Sequence, residues 1–393
     1  MTWRIPLSDI DFGPEEEAAV GAVVRGRWLT MGAITQEFEA EAAAFTGAKH
    51  AIALTNATAA LHLACLAAGL GLGDEVILPA LTFVASANAV RYTGATPVFA
   101  DIAGEHDLNL SVRAAEAALT ERTRAVMVVH YGGYPCDMPA FMELAERYNL
   151  AIIEDAAHAI GSELEGRHLG LWGQSGCYSF FSNKNMTTGE GGMLVTNDDT
   201  VAEKIRTLRS HGMTSLTWDR HKGHAWSYDV TGLGYNYRID ELRSALGRVQ
   251  LGKLARNNQL RRELSACYWE LLQELCPALG LPFRDHAGLS ACHLLPVLLP
   301  EGVSREAFME AMKRHGIQTS IHYPPIHHFS AYNASSSRRR TLTGHFPRRR
   351  SLPELPHTES IAAREVTLPL YPSLSEADVL AVAEAARDAL GEV

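Results

Sequence analysis

The sequence predicts an α/β fold organised around one mostly parallel sheet, and three observations carry that prediction. Short β-prone runs alternate with helical segments of roughly 10–15 residues through the first half of the chain. The stretch from Ala151 to Asn197 packs three apolar runs between glycine-rich loops, which reads as neighbouring strands of one sheet. Polar residues follow two of those runs: Asp155 and His158 after the first, Lys184 after the second. In a parallel sheet ligands bind at the carboxyl ends of the strands.

Taken in order, Pro14 to Arg25 reads as a helix with Glu15, Glu16 and Glu17 in its first turn, where the helix dipole favours acids. Thr35 to Phe45 repeats apolar residues at helical spacing and stops at Gly47. His50 to Leu54 is the first strand. The small polar run Thr55-Asn56-Ala57-Thr58 then opens a helix. Free N–H groups at such a start can seat a phosphate, and Asn and Thr are equally ordinary N-caps, so these residues alone leave both readings open. Glu75 to Leu78 is a second strand, closed by a loop ending in Phe83 and followed by a helix. Pro97–Ala100 and Ala125–Val129 are the third and fourth strands, with a helix from Ser111 to Leu119 between them. A Gly-Gly-Tyr-Pro turn leads to the helix Met138–Tyr148. Ala151–Glu154, Cys177–Phe181 and Met193–Val195 complete seven strands.

Asp240 to Leu275 reads as one or two long helices. Beyond Leu281 the composition changes: a strand, His293–Pro300, a helix, Ser304–Gly316, and a last helix, Ser375–Leu390. A chain of 393 residues exceeds one core, which stops growing at about 250–300 residues, so two domains are expected: 1–250 and a smaller α+β domain over 251–393.

Composition excludes several classes. A net charge of −10 argues against a general nucleic-acid binder. No apolar run approaches the ~18–20 residues of a membrane span. The amino terminus shows no cationic segment followed by an apolar one, so a cytoplasmic enzyme is expected. Six cysteines lack any paired or zinc-ligand spacing and read as reduced thiols. The glycines at 69, 71 and 73 lack dinucleotide-binding spacing and end a helix rather than opening one. His322, His327 and His328 are possible ligands, but the Pro324-Pro325 pair precludes a shared helical face, and no metal site is expected.

What remains is an acid and a lysine delivered to one sheet rim. Pyridoxal phosphate (PLP) needs that pair: an amine that condenses with its aldehyde, and an acid that keeps its pyridine nitrogen protonated so the ring can accept electrons. The motifs Glu154–Ser162, Ser179–Gly192 and Gly234–Gly247 resemble the DegT/DnrJ/EryC1/StrS family of sugar aminotransferases, and weaker similarity covers nearly the whole chain. The resemblance implies the fold of fold-type I PLP-dependent transferases, with a seven-stranded mixed sheet. It implies Lys184 and Asp155 as the central pair, His158 on the cofactor's phenolic oxygen, Phe83 against the pyridine face, and Ala57, Thr58 and Ser179 at the phosphate. Ala57 stands where the family usually has glycine. Asn236 would reach the cofactor of a neighbouring subunit, which implies a homodimer with shared sites.

A close branch of the family has His in place of the lysine and dehydrates its substrate; the lysine retained here favours transamination. The implied substrates are an amino-acid donor, glutamate or glutamine, and a nucleotide-linked keto-deoxy sugar. A cyclitol or other cyclic ketone, or a non-catalytic sensor, are the alternatives. The segment Ser335–Ser351 carries two Arg triplets. They are either a solvated loop or guanidinium groups placed to meet a sugar nucleotide's diphosphate.

Overall fold

The computed structural model describes residues 3–214, 227–333 and 354–393. The Arg-rich segment Ser335–Ser351 and most of the irregular stretch His211–Trp226 lie outside the described residues.

Seven strands form one sheet: β1 (His50–Leu54), β2 (Glu75–Pro79), β3 (Thr96–Ala100), β4 (Thr123–Val129), β5 (Ala151–Asp155), β6 (Ser175–Ser179) and β7 (Gly192–Thr196). Their spatial order is β1-β7-β6-β5-β4-β2-β3. Neighbours from β6 through β3 pair in parallel, and β7 runs antiparallel to both β1 and β6. The sheet is therefore mixed, as expected.

Side chains alternate across it with a period of two. Ile52, Leu54, Val76, Leu78, Met127 and Ile153 enter one buried cluster; Ala51, Ala53, Ile77, Val126, Val128 and Ile152 enter another. Both faces are covered, which is why the strands read as continuous apolar runs. Helices α1 (Pro14–Gly26) and α2 (Ala33–Thr46) precede the sheet, and α3 (Ala57–Ala67), α4 (Ala85–Tyr92), α5 (Val112–Ala117), α6 (Met138–Tyr148) and α7 (Asp199–Arg209) are interleaved with its strands or follow them. The sequence reading overlooked α7, although Asp198 caps it by accepting from Val201 N at 3.1 Å.

Strand β6 starts and ends two residues before the predicted Cys177–Phe181. Its early start includes Gly176, where an added Cβ would lie 2.2 Å from Gly170 Cα, so no larger residue fits. It ends at Ser179 because Phe180 N bonds Gly191 O and the chain turns out toward Phe181, which is 45% exposed.

The segment expected to hold one or two long helices is one, α8 (Glu241–Leu275). Its first turn supplies Glu241, whose carboxylate accepts from Gly32 N, Ile34 N and Thr35 N at 2.8–2.9 Å and caps α2, where Gly32 has no side chain to do so. Leu251 and Leu254 pack with the sheet, whereas Leu264, Tyr268 and Leu272 pack with the carboxyl-terminal elements. Position 250 thus falls inside a continuous helix. The later elements are β8 (Leu295–Leu298), α9 (Arg305–Arg314), α10 (Pro356–Arg364), β9 (Glu365–Leu368) and α11 (Glu376–Glu392). β8 pairs antiparallel with β9. Among the described residues no helix is long and apolar enough to cross a membrane, and all six cysteines are free thiols.

Candidate active site

Asp155 closes β5 and is 5% exposed. Its Oδ2 accepts from Ser86 Oγ at 2.7 Å and its Oδ1 from Ala157 N at 3.2 Å. Burial pushes this carboxyl above its ordinary range, against the opposing pull of those hydrogen bonds and of nearby Lys184. Among the described residues no Lys, Arg or His nitrogen reaches it at ion-pair distance. A buried carboxylate without a cation is expensive, so the pocket is built to receive one.

Lys184 follows β6 by five residues, with its N–H on Phe181 O at 3.0 Å. Loss of water around its amine outweighs the attraction of Asp155 and brings it down to about 7. A large fraction of the amine is then unprotonated and nucleophilic at neutral pH.

His158 sits three residues past Asp155. Gly132 N donates to its Nδ1 at 3.2 Å, so the ring proton is on Nε2, which faces Tyr323 Oη at 3.1 Å. Both nitrogens are therefore engaged by the protein. Burial holds this imidazole well below the usual histidine range, with Lys184 adding to the effect. The rings of His158 and His293 are 4.5 Å apart, and His293 Nε2 lies 3.4 Å from Lys184 Nζ. Phe83 is 55% exposed in the β2–α4 loop, its ring 5.9 Å from that of Tyr323. Ser86 Oγ also lies 3.2 Å from Phe83 O, which ties this loop to Asp155.

A candidate anion seat lies at the start of α3. α3 starts at Ala57 behind Asn56, whose Oδ1 caps Ala59 N at 2.8 Å. Ser179 at the end of β6 is the register partner of Gly192. A Cβ on Gly192 would fall 2.4 Å from Ala57 N, so glycine alone lets β7 approach the start of α3 this closely. Ala57, Thr58 and Ser179 are thereby gathered at one helix amino terminus, which suits a phosphate. Asn236 is exposed, with its backbone bridged to Ser210, and is not brought into this group within one chain.

Sequence reasoning missed Ser86, His293 and Tyr323, which reach the pocket from distant segments. Of the three suspected metal ligands, His322 binds Thr367 Oγ1 through Nδ1 at 2.7 Å. His327 and His328 instead share Glu359 Oε1, at 2.6 and 2.9 Å, from a single 3-10 turn. His322, on the far side of the proline pair, does not share that partner. His327, His328 and Glu359 form a candidate metal-ligand group whose ligand atoms lie within 4.8 Å of one another. The same hydrogen bonds also brace α10.

Comparison with known proteins agrees with this geometry. The sequence model of the DegT/DnrJ/EryC1/StrS aminotransferase family matches residues 11–387. The chain is 40% identical over 393 residues to the spore coat polysaccharide biosynthesis protein SpsC of Bacillus subtilis, covering 99% of this chain and 96% of that one. It is similar to DesV of S. venezuelae, solved with a ketimine intermediate, at 35% identity and a TM-score of 0.86, with 100% of both chains covered. It is also similar to Spr1654 of Streptococcus pneumoniae, a candidate sugar aminotransferase solved in its PLP form, at 26% identity and a TM-score of 0.87, covering 99% of each chain. With the rim of the sheet, its lysine and its acid all in place, the chain belongs to the DegT/DnrJ/EryC1/StrS aminotransferase family and is an aminotransferase.

Proposed function

We propose that this enzyme binds PLP through Lys184 and moves an amino group from glutamate, with glutamine as the alternative donor, to the keto group of a nucleotide-linked keto-deoxy sugar. The observation that carries the reading is the convergence of a lysine amine lowered to about 7 with a buried carboxylate that has no ion-pair partner among the described residues, at the carboxyl ends of β5 and β6. The donor set fits the cofactor. Asp155 would hold the pyridine nitrogen protonated, Ala57, Thr58 and Ser179 would hold the phosphate, and Phe83 would cover the ring. When bound, PLP supplies the electron sink for a carbanion at the donor's α-carbon. Lys184, once free, moves the proton between that α-carbon and the cofactor's C4′ atom as general base and acid. His158, with both nitrogens engaged, acts on the cofactor through the Tyr323 hydroxyl.

A small cleft of about 20 Å³ lined by Ser8, Asn183, His293, His322 and Thr367 has room for about one water and reaches Lys184 only through His293. The names of SpsC and Spr1654 support a sugar acceptor. In our reading the enzyme is a homodimer that completes each site with the partner subunit's Asn236, and the smaller second domain begins within α8. Exposed Asn236 lies near the apolar Leu233 (84% exposed) and Val230 (53% exposed), a surface suited to cover by a second copy.

The test has two stages. The visible absorbance of the PLP-loaded enzyme should be lost on adding glutamate or glutamine alone. It should return on adding one member of a panel of keto-sugar nucleotides. Loss without return for any sugar, but with return for a cyclic ketone, would assign the acceptor to the cyclitol class.

A further inference from the structure

Two main-chain carbonyls fix the direction of a hydrogen-bond chain that ends on Lys184. Asn258 donates from Nδ2 to Ile160 O at 2.9 Å, which turns its Oδ1 toward Asn185. Asn185 donates from Nδ2 to Asn258 Oδ1 and to Ala291 O, both at 2.8 Å. A carbonyl oxygen has no proton to give. Turning the Asn185 amide over would set oxygen against oxygen at Ala291 and at Asn258. Asn185 Oδ1 therefore faces His293 Nδ1, 2.9 Å away, and that nitrogen must carry the proton. In a neutral imidazole the other nitrogen is then an acceptor. It is this lone pair, on Nε2, that stands 3.4 Å from Lys184 Nζ. Asn185, Asn258 and His293 are 7%, 2% and 6% exposed, so water does not compete for these bonds. Burial and the nearby Lys184 hold His293 well below the usual histidine range, which keeps the ring neutral.

We propose that His293 is a positioning residue for Lys184: a neutral imidazole, locked with its proton on Nδ1, that accepts one N–H of the free lysine amine and so restricts where the amine's lone pair can point. The proposal rests on the reading of Lys184 as the cofactor lysine. It makes no acid or base of His293, since the proton stays on Nδ1, donated to Asn185 Oδ1, throughout. Its contribution is to stop the amine from rotating freely while Lys184 moves a proton. A long, flexible side chain needs such a restraint to act at one atom.

The sign of a pKa change separates this arrangement from its alternatives. A neutral acceptor stabilises an ammonium more than an amine, so removing it should lower the Lys184 pKa further. A cationic ring, or one presenting Nε2–H to the amine, would give the opposite change. The full-length protein is stripped of cofactor, and its capture of pyridoxal phosphate is followed by visible absorbance across pH with no amino donor present. His293→Phe is expected to move the midpoint to lower pH by about half to one unit. His293→Gln is expected to restore it, because its amide NH₂ meets Asn185 Oδ1 and its Oε1 then faces the amine. In the parent enzyme, labelled with ¹⁵N-histidine, long-range ¹H–¹⁵N spectra should show the Nδ1–H tautomer at His293, identified by its loss in the Gln variant. That measurement holds even if the Phe variant does not fold. An Nε2–H tautomer, an unmoved midpoint, a midpoint moved to higher pH, or no restoration by Gln each overturns the proposal. Parent protein that fails to capture pyridoxal phosphate at all overturns the underlying reading of Lys184; normal capture with an unmoved midpoint overturns only the role of His293.

Discussion

Glu154 and Asp155 are adjacent, both buried and both acidic, yet they face opposite sides of β5 into different regions of the molecule. Glu154 is 0% exposed and meets a complete ring of donors: Gly170 N at 2.6 Å, Trp172 N and Gly173 N at 2.7 Å, and His130 Nε2 at 3.1 Å. Those bonds fasten the loop from Leu169 to Gln174 that leads into β6. Asp155 receives two donors and, among the described residues, no cation at ion-pair distance. The same functional group is structural where its acceptor capacity is filled by the protein, and is left for a ligand where it is not. On this view the site is recognised by what its residues lack as much as by their identity.

The strongest way to break this comparison is to remove each acid separately. Asp155→Ala should lower kcat by roughly 10²-fold or more, the scale of other preorganised charged groups, while urea unfolding stays near the parent's. Glu154→Gln should do the reverse. It sets an NH₂ against Gly170 N–H and His130, at a cost of about 2–3 kcal/mol in urea unfolding, with a much smaller change in kcat. If the two variants exchange these effects, the reading of the two faces is wrong.

A second variant sharpens the comparison at the phosphate end. Gly192→Ala places a Cβ 2.4 Å from Ala57 N, and because the obstacle is backbone, β7 and α3 must part. Affinity for PLP should fall on the order of tenfold, with donor specificity unchanged, read by equilibrium titration of the cofactor-free protein. An unaltered affinity would mean that the start of α3 is not the anion seat.

The last contrast concerns Lys184 itself. Its amine titrates near 7 in the fold against 10.5 as a free side chain. Between those values the unfolded state binds the proton and the folded state does not, so stability rises with pH. The full cost of burying Lys184 is present below about pH 7 and disappears above about 10.5. Lys184→Met should therefore raise the melting temperature of the cofactor-free protein, most at acid pH, and the gain should fade as pH rises. A gain that grows with pH would reverse the assignment.

These contrasts also show what the sequence made legible. The strands were readable because both sheet faces are covered, so each appears as an uninterrupted apolar run. Asp155, His158 and Lys184 were readable because one sheet rim collects them within thirty residues of chain. His293 and Tyr323 were not, because each comes from the carboxyl-terminal part across more than one hundred residues, and no local pattern records such a contact. The sole sign of His293 was a histidine directly before the apolar run that becomes β8. Strand β6 was misplaced by two residues because Ser175 and Gly176 are neither apolar nor β-prone, yet they pair with Ile153 and Glu154. The convergence of His327 and His328 on Glu359 was missed because the partner carboxylate lies 31 residues beyond His328.

The central claim is that Lys184 is the residue that holds the cofactor. Reducing the PLP-loaded enzyme with borohydride and mapping the labelled peptide tests it most directly. The label should sit on Lys184, and Lys184→Ala protein should carry none. Label on another lysine, or label retained in the Lys184→Ala protein, would contradict the account.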